Sequence, residues 1–278
     1  MPNSYEQLRN QALADLRNYM DSLSEEKGTK LAYWIKDYAR FLSREEGFDP
    51  HRLIRYKRGS IVKAHLGYRI GSEEGGLHYA VVIDTYSAQS TKTVTIIPFT
   101  SVKPHTNLDN LPPSRLYIGD EIYHALHQKT TSEMQDTNRL LTSLRQRIEE
   151  NGQAISDIQT TLKLVTEKKQ TVSDFSVEDI KAQLAERRAI TEALSREISS
   201  LEKKVEHCEK LGNEIQKMKH GSIALVGQIT TISKLRIYDP MHPSDTLSNI
   251  RISASTMDKL DQKLRTLFTH EAKSCTKP

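Results

Sequence analysis

The chain has 278 residues, of which 36% are hydrophobic, and a formal net charge of +4, which leaves room for one to three domains. No apolar run approaches the ~20 residues of a membrane-spanning helix, and the N-terminus lacks the basic-then-apolar pattern of a signal peptide. The two cysteines, Cys208 and Cys275, form neither a disulfide framework nor a metal motif, which predicts a reducing, cytoplasmic setting.

The N-terminal region, residues 1–52, predicts a helical hairpin. Apolar residues recur at helical spacing from Tyr5 to Leu16 and again from Leu31 to Leu42, with a break at residues 24–29. The second stripe contains the only tryptophan, Trp34, and we expect it to pack against the neighbouring domain. A partner-binding arm is the alternative interpretation of this region.

Residues 53–127 predict the first part of a β-rich domain. Three runs rich in Val, Ile and Thr, at 60–66, 79–84 and 93–99, have the composition of strands. The first two are separated by a glycine loop, residues 67–76, and a loop of this length is more often functional than incidental. A short strand at 115–119 and a helix starting at residue 121 complete this part.

Residues 128–219 predict a long antiparallel coiled-coil hairpin. Apolar residues follow a 3-4 spacing for more than four heptads on the two sides of a break at residues 171–176. Ser176 and Asp179 resemble a capping box that opens the second helix. Asn151 and Arg187 fall at core-like positions, either as an imperfect seam or as a polar layer that sets the register. This stretch holds 16 basic and 16 acidic residues, so the net positive charge lies outside it, which is compatible with a polyanionic partner.

Residues 220–272 predict a return to the β-rich domain. Segments 222–226, 228–232 and 250–253 have the composition of strands. A helix capped by Ser255 or Thr256 then runs to Phe268, and its apolar stripe predicts packing against the sheet. Residues 273–278 form a short tail.

Five segments, in order, carry a resemblance to the MazF/PemK family of toxins: RGSIV at 58–62, GSEEGG at 71–76, YAVVI at 79–83, IIPFTS at 96–101 and GSIALVGQITTISKLRI at 221–237. The resemblance implies an α+β fold, with a small MazF/CcdB-like antiparallel β-barrel into which the coiled-coil hairpin is inserted between strands. It also implies a homodimer, an antitoxin protein as partner, and neither cofactor nor metal.

The family resemblance implies a metal-independent endoribonuclease that cleaves single-stranded RNA. In this chemistry the ribose 2′-hydroxyl attacks its own phosphate. The resemblance assigns catalysis to Ser72, His78 and Thr100, with Ser72 on the scissile phosphate and Thr100 stabilising the developing charge. It assigns RNA contacts to a polar set at the same end of the fold: Lys57, Arg58, Arg69, Glu73, Ser101, Lys103 and Gln228.

Each of the three catalytic candidates also has a purely structural interpretation. Ser72 would satisfy the loop backbone, Thr100 would bond to a turn, and His78 would pack beside Tyr79. His78 is itself a departure, because most family members have Arg-Pro where this chain has His78-Tyr79. Histidine titrates near neutral pH and suits acid/base catalysis better than arginine. It cannot, however, donate the two parallel hydrogen bonds with which an arginine guanidinium holds a phosphate.

Two further departures weaken the family pattern. Gly227 stands where an acidic residue is frequent, and Thr230 stands where an arginine is frequent. Either His78 takes over several roles, or the fold no longer cuts RNA. The alternative functions are therefore a catalytically altered or inactive binding module that uses the coiled coil to engage a partner, and a CcdB-like topoisomerase poison. The GSEEGG loop and Thr100 argue against the poison, since they match the nuclease branch.

Overall fold

A computed structural model describes residues 4–86, 88–168 and 177–270, with side chains described outside 165–168 and 177. Five helices occur in these ranges: α1 (Tyr5–Asp21), α2 (Glu25–Glu45), α3 (Glu121–Lys168), α4 (Val177–Ile215) and α5 (Ala254–Phe268). Seven strands accompany them: β1 (Ile61–His65), β2 (Leu77–Val82), β3 (Thr93–Ser101), β4 (Leu116–Tyr117), β5 (Ser222–Ala224), β6 (Thr230–Ser233) and β7 (Ile237–Asp239). The predicted α+β class is confirmed. None of the helices in these ranges is both long and apolar enough to span a bilayer.

The two predicted N-terminal helices form, but the break between them lies at residues 22–24 and not at 24–29, because α2 already begins at Glu25. Ser4 caps α1 in a capping box, since its hydroxyl accepts from the Gln7 backbone N–H while the Gln7 side chain accepts from the Ser4 N–H. Helix α1 buries no residue, whereas α2 buries Leu31 and stacks Trp34 on His65 of β1, with ring centroids 4.7 Å apart. The predicted packing of α2 against the neighbouring β-rich domain is therefore observed.

The strands form one antiparallel sheet in the order β4-β5-β3-β2-β1-β7, and β6 also pairs with β3. The three Val/Ile/Thr-rich runs correspond to β1, β2 and β3. Within the described ranges no pairing joins β4 to β7, so the sheet is open in its hydrogen bonding, and closure into a barrel stays a prediction.

One hydrophobic cluster lies on a single face of the sheet. Its buried members come from β1, β2, β3, β6 and β7 and from the segments that flank β1: Tyr56, Val62, Ala64, Leu66, Ala80, Val82, Val94, Ile96, Ile232 and Ile237. Ala80 and Val82 share this face because side chains two apart in a strand point the same way, whereas Ile61, Val81 and Ile97 are buried on the opposite face. Burial of such side chains is the main term that holds the strands together.

Three sequence predictions after β3 need correction. Segment 228–232 is not one strand, because residues 226–228 form a 3-10 turn and β6 begins at Thr230. Segment 250–253 is not a strand either, since Arg251 makes only an isolated bridge to Ser60. Helix α5 is capped by Ser253, not by Ser255 or Thr256, because the Ser253 hydroxyl accepts from the backbone N–H of Thr256 at 3.2 Å and so uses the last residues of the supposed strand as the cap.

The pairing of β4 with β5 brings together residues from the two sides of the long helices. Leu116 lies opposite Ala224 and Tyr117 opposite Ile223. Just beyond, the N–H of Ser222 donates to the Gly119 carbonyl at 2.8 Å. The chain therefore leaves the sheet after β4 and returns to it at β5, beside the point of departure, as expected for a segment inserted between two strands.

Residues 125–217 form a compact unit of their own, distinct from the unit that holds the sheet and α1, α2 and α5. Within it, α3 and α4 run antiparallel, as shown by Asn151, whose amide donates to the Arg187 carbonyl and the Thr191 hydroxyl, both at 2.8 Å. Arg187 in turn donates to the Asn151 side chain at 3.1 Å, and Arg145 bonds Glu202 at 2.8 Å. The predicted break at 171–176, the capping role of Ser176 and the tail 273–278 lie outside the described residues.

Candidate functional site

The glycine loop, residues 67–76, joins β1 to β2 and is closed at its base by backbone hydrogen bonds. The Leu66 N–H donates to the Gly76 carbonyl and the Gly76 N–H donates to the Gly67 carbonyl, both at 2.7 Å. Gly67 and Gly76 have φ angles of +96° and +82°, which a residue with a side chain adopts only with strain. The loop therefore holds a defined shape next to the first residues of β2.

A carboxylate and an imidazole meet where the loop enters β2. His78 Nε2 lies 2.8 Å from Glu74 Oε1, and both side chains are mostly but not fully buried. His78 Nδ1 is buried and has no hydrogen-bond partner among the described residues. Nε2 is therefore the nitrogen through which this imidazole can exchange a proton, and the carboxylate beside it can accept one.

Gln228 ties the second part of the chain to the glycine loop. Its side-chain Nε2 donates to the Ser72 carbonyl at 3.3 Å, and its Oε1 accepts from the Glu74 N–H at 3.4 Å. Gln228 lies in the 3-10 turn between β5 and β6. One carboxamide thus positions the backbone on both sides of Glu73, and so also the Glu74 side chain that faces His78.

Thr100 reaches the same place through the strand register. Strands β2 and β3 pair Ala80 with Pro98, and in this part of the chain their ladder stops there. His78 and Thr100 each lie two residues beyond that last pair, and since side chains two apart share a face, both project from the core face of the sheet. The two side chains lie where β3 stops pairing with β2 and pairs instead with β5, with Thr100 opposite Ile223.

Two predicted RNA-binding residues, Arg69 and Glu73, lie close to each other on the loop. Arg69 donates from Nε to the Leu66 carbonyl at 2.7 Å, and its Nη1 lies 3.8 Å from the Glu73 carboxylate. Arg69 is thus held in place by the base of the loop. Glu73 contacts Arg69, whereas its neighbour Glu74 makes the contact with the imidazole of His78.

The remaining predicted RNA-binding residues divide into two groups. Ser101 and Lys103 follow Thr100 at the end of β3, so they lie at the same edge as His78, and the Lys103 side chain is exposed. Lys57 and Arg58 precede β1, where Arg58 bonds the Ile83 carbonyl and the Asp261 carboxylate. Ile83 follows the far end of β2, about 16 Å along the strand from His78 at ~3.3 Å per residue. The structure thus separates Lys57 and Arg58 from the site, and their part in binding RNA stays a prediction.

Packing accounts for the glycine at position 227. A Cβ atom added there would lie 2.8 Å from the Ser114 Cβ, a distance that real Cβ atoms do not show. The segment around Ser114 would have to move to admit any side chain, so the acidic residue frequent at this position does not fit. Thr230 begins β6 and pairs with Ile96.

The sequence analysis missed Glu74 and chose Glu73. The two residues are adjacent in the GSEEGG segment, and composition does not distinguish them. It also passed over His65, whose Nδ1 accepts from the Gly67 N–H at 3.0 Å. Burial lowers the pKa of His65, with the Arg236 and His78 side chains adding to this against the raising effect of Asp37.

No three His, Cys, Asp or Glu side chains of the described ranges gather closely enough to hold a metal ion. Comparison with protein families gives one match, over residues 57–187, to the PemK-like, MazF-like toxins of type II toxin–antitoxin systems. The match covers β1 to β4, the glycine loop and part of the helical hairpin, slightly less than half of the chain, and it leaves out α1, α2 and the strands after α4. No curated protein matches the chain.

Proposed function

We propose that the chain, whose residues 57–187 match the PemK-like, MazF-like toxins of type II toxin–antitoxin systems, is an endoribonuclease that cleaves single-stranded RNA by attack of a ribose 2′-hydroxyl. The observation that carries the proposal is the Glu74–His78 contact of 2.8 Å at the edge where Ser72, Thr100 and Gln228 converge. Cleavage needs one group that accepts a proton and one that donates it, and this contact supplies both.

In the proposed reaction the scissile phosphate enters between Glu74 and His78. Glu74 takes the proton of the 2′-hydroxyl as O2′ bonds to phosphorus. The bond from phosphorus to O5′ breaks, and Nε2 of the His78 imidazolium protonates O5′. The products are a 2′,3′-cyclic phosphate and a 5′-hydroxyl. The proton on Glu74 then returns to His78 across their hydrogen bond, which restores the starting state.

The hydroxyls of Ser72 and Thr100 would donate to the non-bridging oxygens as negative charge grows on them. Gln228 acts as a positioning residue, since its carboxamide bonds the loop backbone at Ser72 and Glu74.

The cations around the site position the strand of RNA. Arg69 and Lys103 flank the edge from the loop and from the end of β3, and contacts to phosphate from such groups fix register without reading sequence. Ser101 adds a hydroxyl on the strand next to Thr100.

Further parts of the proposal concern assembly. We propose closure of the sheet into a small barrel, a coiled coil for the α3–α4 hairpin, a homodimer, and an antitoxin protein that restrains the toxin in the cytoplasm. The family's place in type II toxin–antitoxin systems supports the antitoxin partner. The antiparallel contacts of Asn151 with Arg187 and Thr191 support the coiled coil.

The test is cleavage of labelled single-stranded RNA by the full-length protein in the presence of EDTA. We expect fragments with 2′,3′-cyclic phosphate and 5′-hydroxyl ends, and no cleavage of a 2′-deoxy substrate. Loss of a proton-transfer group lowers rates by about 10²–10⁴, so Glu74→Gln and His78→Ala should each fall in that range. Glu73→Gln is the matched control, because its carboxylate is adjacent in sequence but faces Arg69.

Two outcomes would contradict the proposal. Wild-type protein that binds RNA without cutting it would instead favour the binding module, and equal rates for Glu74→Gln and Glu73→Gln would refute the proposed base.

A further inference from the structure

A cleft lies between α2 and the glycine loop, on the side of the loop that faces away from His78. Its volume is about 510 Å³, within the range usual for small-ligand sites. Helix α2, β1 and the loop all line it, and the side chains that matter below are Lys30, Tyr33, Trp34, His65, Tyr68 and Arg69.

Aromatic rings form the walls of this cleft. Trp34 is fixed in place, since it stacks on His65 with ring centroids 4.7 Å apart and carries the Arg236 guanidinium 5.5 Å from its ring. Tyr33, one residue earlier on α2, is 65% exposed although it lines the cleft. Burial and a hydrogen bond with Tyr19 raise the pKa of Tyr68. Exposed, oriented rings of this kind are what bases of single-stranded RNA stack on.

Two cations accompany the rings. Lys30 pairs with Glu26 at 2.5 Å, and Arg69 lies 3.8 Å from Glu73. The Lys30–Glu26 pair is largely solvent-exposed, whereas in the second pair Arg69 is 31% and Glu73 56% exposed. Ion pairs that solvent reaches contribute little, so a phosphate can replace the carboxylates. The imidazole of His65 is kept neutral near pH 7 because burial lowers its pKa. The cleft thus combines uncharged rings with cations that a phosphate can reach.

The cleft and the proposed reaction centre share a wall. Leu77 lines the cleft and precedes His78 in β2, and neighbouring residues of a strand point to opposite faces. The start of β2 is therefore a ridge with the cleft on one side and the Glu74–His78 contact on the other, and Glu73 of the adjoining loop also lines the cleft. A strand of RNA that crosses this ridge touches both.

We propose that the cleft is a subsite that stacks the base of the nucleotide next to the scissile phosphate, with Tyr33 and Tyr68 as the stacking surface beside Trp34, whose own ring packs on Tyr38 and His65, and with Lys30 and Arg69 on its phosphate. The proposal rests on the proposed function for the identity of the ligand as single-stranded RNA. Helix α2 lies outside the residues that match the toxin family, so this wall is a feature of the chain's own N-terminal segment.

The single tryptophan of the chain makes the test direct, because Trp34 lines the cleft. Short RNAs with 2′-O-methyl riboses, which lack the attacking hydroxyl, are titrated into the full-length protein. Fluorescence of Trp34 reports stacking, and anisotropy of an end-labelled copy of the same RNA reports total binding. We expect saturable quenching of Trp34 with the same midpoint as the anisotropy change.

Tyr33→Ala tests the stacking surface and leaves the reporter Trp34 in place, and because Tyr33 is exposed its removal leaves the core intact. Stacking of one base is worth about 1–3 kcal/mol, so the apparent Kd should rise about 5- to 150-fold. Tyr86→Ala is the control, since Tyr86 is 80% exposed and does not line the cleft. Arg69→Gln should weaken binding and reduce its dependence on salt.

The outcomes distinguish the cleft from the reaction. Anisotropy that saturates without quenching of Trp34, or equal affinities for Tyr33→Ala and Tyr86→Ala, would overturn the subsite. If ordinary RNA were cleaved nonetheless, the proposed function would stand without it. Quenching that is lost in Tyr33→Ala supports the subsite even where ordinary RNA is not cleaved, and in that case it is the nuclease proposal that fails.

Discussion

Replacement of Gln228 by alanine should loosen the glycine loop while leaving the sheet intact. The carboxamide makes two hydrogen bonds to the loop backbone, at 3.3 Å to the Ser72 carbonyl and at 3.4 Å from the Glu74 N–H. Both are long and partly exposed, so each contributes about 0.5–1 kcal/mol. Their loss amounts to about 1–2 kcal/mol, or about a 5- to 30-fold change in the population of open loop.

Amide hydrogen exchange measures this change directly. Peptides that cover residues 67–76 should exchange about 5- to 30-fold faster in Gln228→Ala, and the Glu74 amide should respond most because it loses its own acceptor. Peptides from β2 and β3 should keep their wild-type rates, since Gln228 contributes nothing to those ladders.

Gln89→Ala provides the matched control. The Gln89 carboxamide also joins two backbone positions, as it donates to the carbonyls of His51 and Leu53 at 3.2 and 3.0 Å. Its removal should loosen the segment around residue 52 and leave the glycine loop unchanged. If loop exchange in Gln228→Ala matched the wild type while Gln89→Ala loosened its own segment, the positioning role of Gln228 would be refuted.

Three further predictions concern stability. Because the pKa of His65 is lowered in the folded protein, the unfolded chain takes up a proton on His65 at a higher pH than the folded chain does. The free energy of unfolding should therefore fall as pH drops from the ordinary value of 6.5 through the folded pKa. Urea unfolding followed by Trp34 fluorescence measures this, and the pH dependence should be flatter in His65→Gln. Asn151→Ala should destabilise the helical hairpin by about 1–3 kcal/mol, because the buried Asn151 carboxamide and its hydrogen bonds to the Arg187 carbonyl and the Thr191 hydroxyl are lost, and thermal melting by circular dichroism should detect it. Gly227→Ala should cost about 1–3 kcal/mol by overpacking, whereas Gly47→Ala, with open space around it, should be near neutral in the same urea assay.

The elements best predicted from the sequence are those whose apolar or β-branched residues recur with a clear helix or strand pattern. Helices α1 and α2 follow from their apolar spacing, and β1, β2 and β3 follow from their β-branched runs. Segment 250–253 misled because Ile250 and Ile252 alternate as in a strand, yet Ser253 is used as a helix cap. A cap is decided by one side-chain hydrogen bond, which composition does not reveal.

The candidate site could likewise be predicted only in part from the sequence. Family resemblance led to Ser72, His78 and Thr100, and the structure brings them to one edge through the loop and the strand register. Glu74 could not be singled out from Glu73, because the choice depends on how the closed loop directs one carboxylate to His78 and the other to Arg69. Each partner is only four residues away, so the loop conformation decides the choice, whereas the meeting of Trp34 with His65 joins residues far apart in sequence.

The hydrogen bond between Gly119 and Ser222 has a bearing on how the molecule folds. It joins two strands that are separated by more than a hundred residues. If those residues were a flexible chain, bringing its ends together would cost entropy, and this cost grows by about 0.6 kcal/mol for each doubling of the chain length. Helices propagate locally and quickly, so a hairpin formed early shortens the effective tether before the strands meet. Swapping residues 125–217 for a brief glycine-serine turn would do the same by design, which makes the sheet a candidate for a minimal, autonomously folding version of this protein.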